Sequence, residues 1–128
     1  MNSHKQKDPS ILAHWTYSRD EWKEFIRWIK LKKGLLTYLA YVLKPGRASS
    51  PPEVNLTIEG VWVAGNPIFF RTTEYNLKKV DIRNEGQMNI MEISYEGAGK
   101  EGMQEIRVLI PKGKLREAIQ VAEILQSA

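Results

Sequence analysis

The chain has 128 residues, 42% of them hydrophobic, which is the size and apolar content of one domain built on one core. It contains no cysteine, which excludes a disulfide framework, a thiol nucleophile and any Cys-ligated zinc, iron–sulfur or redox centre, and its two histidines nearly exclude a His-based metal site. Nineteen Lys and Arg against fifteen Asp and Glu give a net charge of +4; the excess is N-terminal, since residues 1–50 hold ten cations and four anions and residues 51–128 hold nine and eleven.

Residues 1–10 form a polar tail without the apolar stretch of a secretory signal. Ile11, Ala13 and Trp15 then fall on one face of an extended segment. Ser18 followed by Glu21 spells a capping box, in which side chain and backbone satisfy each other's free amides at a helix start. Winding on at about 100° per residue places Trp22, Phe25, Ile26 and Ile29 on one stripe, and Arg19, Lys23, Arg27 and Lys30 on an adjacent one. This is a basic amphipathic helix, and Lys32, Lys33 and Gly34 mark its end or a kink. The run Gly34 to Leu43 is the most apolar in the chain and carries no charge. At ten residues it is half of the roughly twenty that cross a bilayer as a helix. It reads as a buried strand or short buried helix, with an interfacial membrane segment as the alternative. Lys30, Lys32 and Lys33 before it and Lys44 and Arg47 after it suit anionic headgroups. Residues 45–53 hold three of the six prolines and form a linker.

From Val54 on, short alternating runs separated by turns follow the pattern of an antiparallel sheet. Strands are expected over 54–58, 61–63, 68–70, 77–82, 88–95 and 103–110, with turns at Glu59-Gly60, Gly65-Asn66-Pro67 and Asn84-Glu85-Gly86. Pro111-Lys112-Gly113 stops the last strand, and Leu115, Ala118, Ile119, Ala122 and Leu125 recur at helical spacing. The expected fold is α+β: an N-terminal amphipathic helix, then an antiparallel meander sheet forming a partly open barrel, capped by one C-terminal helix. Its organisation is a tail (1–10), an extended segment with helical arm and apolar run (11–44), a linker (45–53) and a module (54–128).

The strand order ending in one helix, with Ile58-Glu59-Gly60-Val61-Trp62-Val63 leading into a hairpin and Asn76 to Ile82 forming the next strand, resembles the bacterial pleckstrin-homology-like domains, as in YcxB-like small membrane proteins. Ala13-His14-Trp15-Thr16-Tyr17-Ser18-Arg19-Asp20-Glu21-Trp22 is similar to the lead-in that precedes a transmembrane hairpin in some of these. At the place of that hairpin this chain has Gly34 to Leu43, which is too short for one. The resemblance implies a pleckstrin-homology-like fold at a membrane. An inositol-phosphate site would be a Lys/Arg cluster in the first hairpin loop, where this chain reads Ala64-Gly65-Asn66-Pro67 without charge.

Other motifs carry less. Gly97-Ala98-Gly99-Lys100-Glu101-Gly102 has Glu101 where a phosphate loop needs Ser or Thr, and lies between strands; it reads as a hairpin loop. His14 lies in an apolar extended run and His4 in the tail, so a shared metal or a nucleophile–base pair is not expected, and His14 reads as a structural residue hydrogen-bonded near Trp15 or the helix start. Glu92, Glu96, Glu101 and Glu105 gather around the 96–102 loop, where solvated hairpin ends outweigh acid–base chemistry. The expectation is a non-enzymatic interaction module of a small membrane-associated protein, without cofactor or metal, cytoplasmic at the inner face of the cell membrane. Lys23, Arg27, Lys30, Lys32 and Lys33 are the candidate membrane or partner contacts. Trp15, Trp22, Phe25, Ile26 and Ile29 are the candidate packing or interface residues, and exchange of the arm between chains would give a homo-oligomer. The alternative is a nucleic-acid-binding protein using the basic helix.

Overall fold

The computed structural model describes residues 10–30, 50–97 and 102–128. The run 34–43, Lys44, residues 45–49 of the linker and the loop residues 98–101 lie outside the described residues. The fold is α+β. In chain order the elements are β1 (Ile11–Trp15), α1 (Arg19–Lys30), β2 (Val54–Thr57), β3 (Gly60–Val63), β4 (Asn66–Phe69), β5 (Tyr75–Glu85), β6 (Met88–Gly97), β7 (Met103–Ile110) and α2 (Leu115–Ser127).

The strands form two antiparallel sheets, one of four strands in the order β1-β2-β3-β4 and one of three in the order β5-β6-β7. The single meander sheet expected from the strand order is therefore divided, and the two sheets are not closed into a barrel. The division lies at Phe70–Glu74. The amides of Phe70 and Arg71 both donate to the Glu59 carbonyl, 3.0 and 3.2 Å away, which turns the chain off the β4 line. Phe70 points inward and is fully buried. The Arg71 guanidinium donates to the carbonyls of Ile58 (3.2 Å) and Leu125 (2.6 Å), tying this corner to the C-terminal end of α2, where a cation is favoured.

Alternation decides what each strand buries. Ala13 and Trp15 of β1, Val54 and Leu56 of β2, and Val61 and Val63 of β3 are directly paired across the sheet, and all are buried. They share one core with Val80, Met91, Ile93, Ile106 and Val108 of the other sheet and with Ala118, Val121, Ala122 and Leu125 of α2. Residues 11–29 thus contribute to the same core as residues 54–125. Two tight turns hold the β2–β3–β4 hairpins. Thr57 Oγ1 accepts from the amides of Glu59 (3.2 Å) and Gly60 (3.1 Å). Ala64 and Gly65 both take positive φ, 52° and 82°, the two-residue turn whose twist suits a hairpin, so the reversal sits one residue earlier than Gly65-Asn66-Pro67. At Gly60 a Cβ would stand 2.7 Å from the Ile68 carbonyl oxygen and 3.2 Å from the Phe69 ring, so only glycine fits beneath that ring.

The helix α2 follows a turn in which the Lys114 amide donates to the Pro111 carbonyl at 3.0 Å. It packs against β5, β6 and β1, with Trp15 Nε1 donating to Glu117 Oε1 at 2.7 Å and Gln126 Oε1 accepting from the Val80 amide at 3.2 Å. Its buried line runs through Ala118, Val121, Ala122 and Leu125; Leu115 and Ile119, both on the expected apolar stripe, are exposed.

Candidate functional site

The candidate contact residues lie on α1, and the start of that helix explains how they are held. The Ser18 amide donates to Glu21 Oε2 (2.8 Å) and the Glu21 amide donates to Ser18 Oγ (3.1 Å), a closed capping box. The other carboxylate oxygen of Glu21 accepts from the Lys112 amide at 3.1 Å, which fastens the helix start to the β7–α2 turn. Tyr17 adds a further link, its hydroxyl donating to the Leu109 carbonyl at 2.8 Å.

Beyond this start, Trp22, Phe25 and Ile29 are buried, while Ile26 is half-buried. The rings of Tyr17, Trp22, Phe25 and Trp28 follow one another at centroid distances of 5.2, 5.2 and 6.3 Å. Trp28 then lies 5.7 Å from the guanidinium carbon of Arg107 on β7, a cation–π contact. Arg107 and Leu109 share one face of β7, opposite Glu92 and Ile90 of β6. That face of the three-stranded sheet is therefore where α1 rests, and Ile90 and Leu109 are buried on it.

Arg107 is fixed in turn. Its Nε and the Nε of Arg83 both donate to Glu92 Oε2, at 2.8 and 3.0 Å, and its second nitrogen meets Glu105 at 2.9 Å. The hydrogen bond to Glu85, and then the charge of Glu92, raise the Arg83 pKa above its ordinary value. Glu96 pairs with Lys78 at 3.5 Å. The described carboxylates singled out near the loop thus each face a cation rather than one another, and Glu101 lies outside the described residues. Among the described residues no group of His, Asp and Glu is placed to hold a metal ion. His14 is exposed, its Nδ1 2.6 Å from Oδ1 of Asn55, the residue opposite it on β2; His4 lies outside the described residues.

The opposite side of α1 faces solvent. Arg19, Lys23 and Arg27 stand exposed one turn apart, and among the described residues none of them forms an ion pair. Asp20 and Glu24 form a parallel acidic row one residue on. Between α1 and the ends of β6 and β7 lies an open groove of about 530 Å³, which Lys23, Glu24 and Arg27 border from the helix and Met88, Asn89 and Lys112 from the sheet side. Lys32 and Lys33 lie outside the described residues, and of Lys30 only the helical backbone is described. Of the five candidate contacts, the structure therefore brings together Lys23 and Arg27 and joins Lys112 to them. Lys112 carries a sequence signal, since it lies in the turn Pro111-Lys112-Gly113. The Trp28–Arg107 contact carries none, because it links positions far apart in the chain.

Compared with family models, curated proteins and solved structures, the chain matches none. Among the described residues no helix is long and apolar enough to cross a membrane.

Proposed function

We propose that the chain is a non-enzymatic, pleckstrin-homology-like interaction module of a small membrane-associated protein, which meets the anionic inner face of the cell membrane through the basic row of α1. The observation that carries this reading is the exposed row of Arg19, Lys23 and Arg27, unpaired among the described residues, on a helix whose other side is locked to the sheet by Trp22, Phe25, Trp28 and Glu21. A helix already held against the sheet loses little backbone freedom on meeting a negatively charged surface, and each Lys or Arg there contributes about 1 kcal/mol. The pleckstrin-homology-like assignment is supported by antiparallel strands followed by a single C-terminal helix that covers the core.

Lipid is favoured over nucleic acid because the helix aromatics are occupied. Single-stranded nucleic acid is held by stacking on exposed rings, whereas Trp22 is 9% exposed and Phe25 fully buried. Protein contact between copies would reuse the same surfaces, since an exchanged α1 would place Trp22, Phe25 and Ile29 in the partner's core.

Co-sedimentation of the full chain with phosphatidylcholine vesicles, with and without phosphatidylserine, tests this. Binding is expected only to the anionic vesicles. Lys23→Glu with Arg27→Glu is expected to weaken it by about tenfold or more, since two attractions become repulsions. Equal recovery on both vesicle types removes the proposal.

A further inference from the structure

We propose that the corner between β7 and α2, from Lys112 to Ile119, is a second contact for an anionic membrane surface, in which Leu115 and Ile119 enter the lipid interface between cations. This rests on the membrane reading above and extends it to a surface that the helix α1 does not contain.

Leu115 and Ile119 are 39% and 44% exposed and stand one turn apart on the same side of α2. The cause is geometric. The buried line runs through Ala118, Val121, Ala122 and Leu125, and Leu115 and Ile119 lie on the flank of that line. Around the two aliphatic side chains, Lys112, Lys114 and Arg116 are exposed, and among the described residues they form no ion pair. The single carboxylate within this stretch, Glu117, accepts from the Trp15 indole, and the next acid, the exposed Glu123, stands one turn beyond Ile119 and marks the far limit of the corner. The carboxylates facing the corner across the groove are Asp20, Glu21 and Glu24, and Glu21 is already bonded to the backbone of Ser18 and Lys112.

Cations alternating with aliphatic side chains suit an anionic bilayer better than a protein. The buried centre of a protein interface excludes Lys, whereas a lipid surface lets aliphatic side chains enter while the cations stay among headgroups. The corner is also prebuilt: the Lys114 amide is bonded to the Pro111 carbonyl and the Lys112 amide to Glu21. That second bond joins the corner to the start of α1, so both cationic surfaces sit on one rigid unit.

The experiment uses the full chain and phosphatidylcholine vesicles with and without phosphatidylserine. Two corner variants are compared with the α1 variant Lys23→Glu/Arg27→Glu: Lys114→Gln/Arg116→Gln, which leaves Lys112 of the groove beside α1 in place, and Leu115→Ser/Ile119→Ser. Thermal unfolding of each variant serves as the check on folding. The charge variant is expected to lose about tenfold or more in binding to anionic vesicles. The Leu115/Ile119 variant is expected to lose about tenfold while keeping the salt dependence of the parent. If both corner variants bind as the parent does while the α1 variant is weakened, the corner is overturned and the α1 reading stands. If the parent itself ignores anionic vesicles, both fall.

Discussion

The two sheets of this molecule solve the same problem with different residues. The strands of the four-stranded sheet, β1 to β4, contain no Asp, Glu, Lys or Arg, whereas those of the three-stranded sheet contain nine. The four-stranded sheet relies on fit. Its inner face is a set of directly paired apolar residues, and outside, Trp62 and Phe69 meet edge-on at 5.5 Å over the space kept open by Gly60. Of its two edge strands, β4 is only four residues long and carries Pro67, two features that discourage pairing with another chain. The three-stranded sheet instead has long edge strands, and these carry the charges: Lys78, Lys79, Asp81, Arg83 and Glu85 on β5, Glu105 and Arg107 on β7. One part of this charge network, Glu92 with Arg83 and Arg107, also seats α1 through Trp28. Charge in the sheet that carries α1 thus serves both to protect edges and to position the candidate contact surface.

That contrast can be broken at three strengths. Trp15→Ala removes a fully buried ring from the four-stranded sheet together with its bond to Glu117, and is expected to cost about 3–5 kcal/mol in urea unfolding. A loss below about 1 kcal/mol would mean that fit does not hold this sheet. Glu92→Gln keeps the side-chain volume but removes the charge shared by Arg83 and Arg107, and is expected to cost about 1–2 kcal/mol. Because Arg107 seats Trp28, proteolysis within α1 is expected to quicken in the same variant; unchanged cleavage would separate the network from the helix. Lys79→Ala removes an exposed pair with Asp81 at 3.2 Å, and is expected to change stability by less than about 0.5 kcal/mol. A larger loss would show that single surface pairs hold the three-stranded sheet.

The legible parts of the molecule were those in which neighbours in the chain act on one another. Ser18 and Glu21 lie three residues apart, and their capping box closes on itself. Strand alternation from Val54 to Ile110 needs no distant partner, and the six runs expected there correspond to β2–β7, with β5 extending from Tyr75 to Glu85. The division into two sheets was not legible. Phe70 to Glu74 contains neither Gly nor Pro, and its bend is held by the Phe70 and Arg71 amides on the Glu59 carbonyl and by the Arg71 guanidinium on carbonyls 13 and 54 residues away. The candidate site divides in the same way. Lys23 and Arg27 follow from helical spacing, whereas the joining of Lys112 to them needs the Glu21 bond across 91 residues.

By itself, then, the sequence determined the element types, the amphipathic character of α1 and the concentration of positive charge before Pro51, because these depend on residue order and on the periods of helix and strand. Tertiary structure decided where the sheet divides, which side of α1 is used up in packing, and that Leu115 and Ile119 stay outside. Those outcomes depend on which surfaces compete for the same core. A helical stripe wider than the groove that receives it leaves its margin in solvent, and no local pattern states which margin that will be.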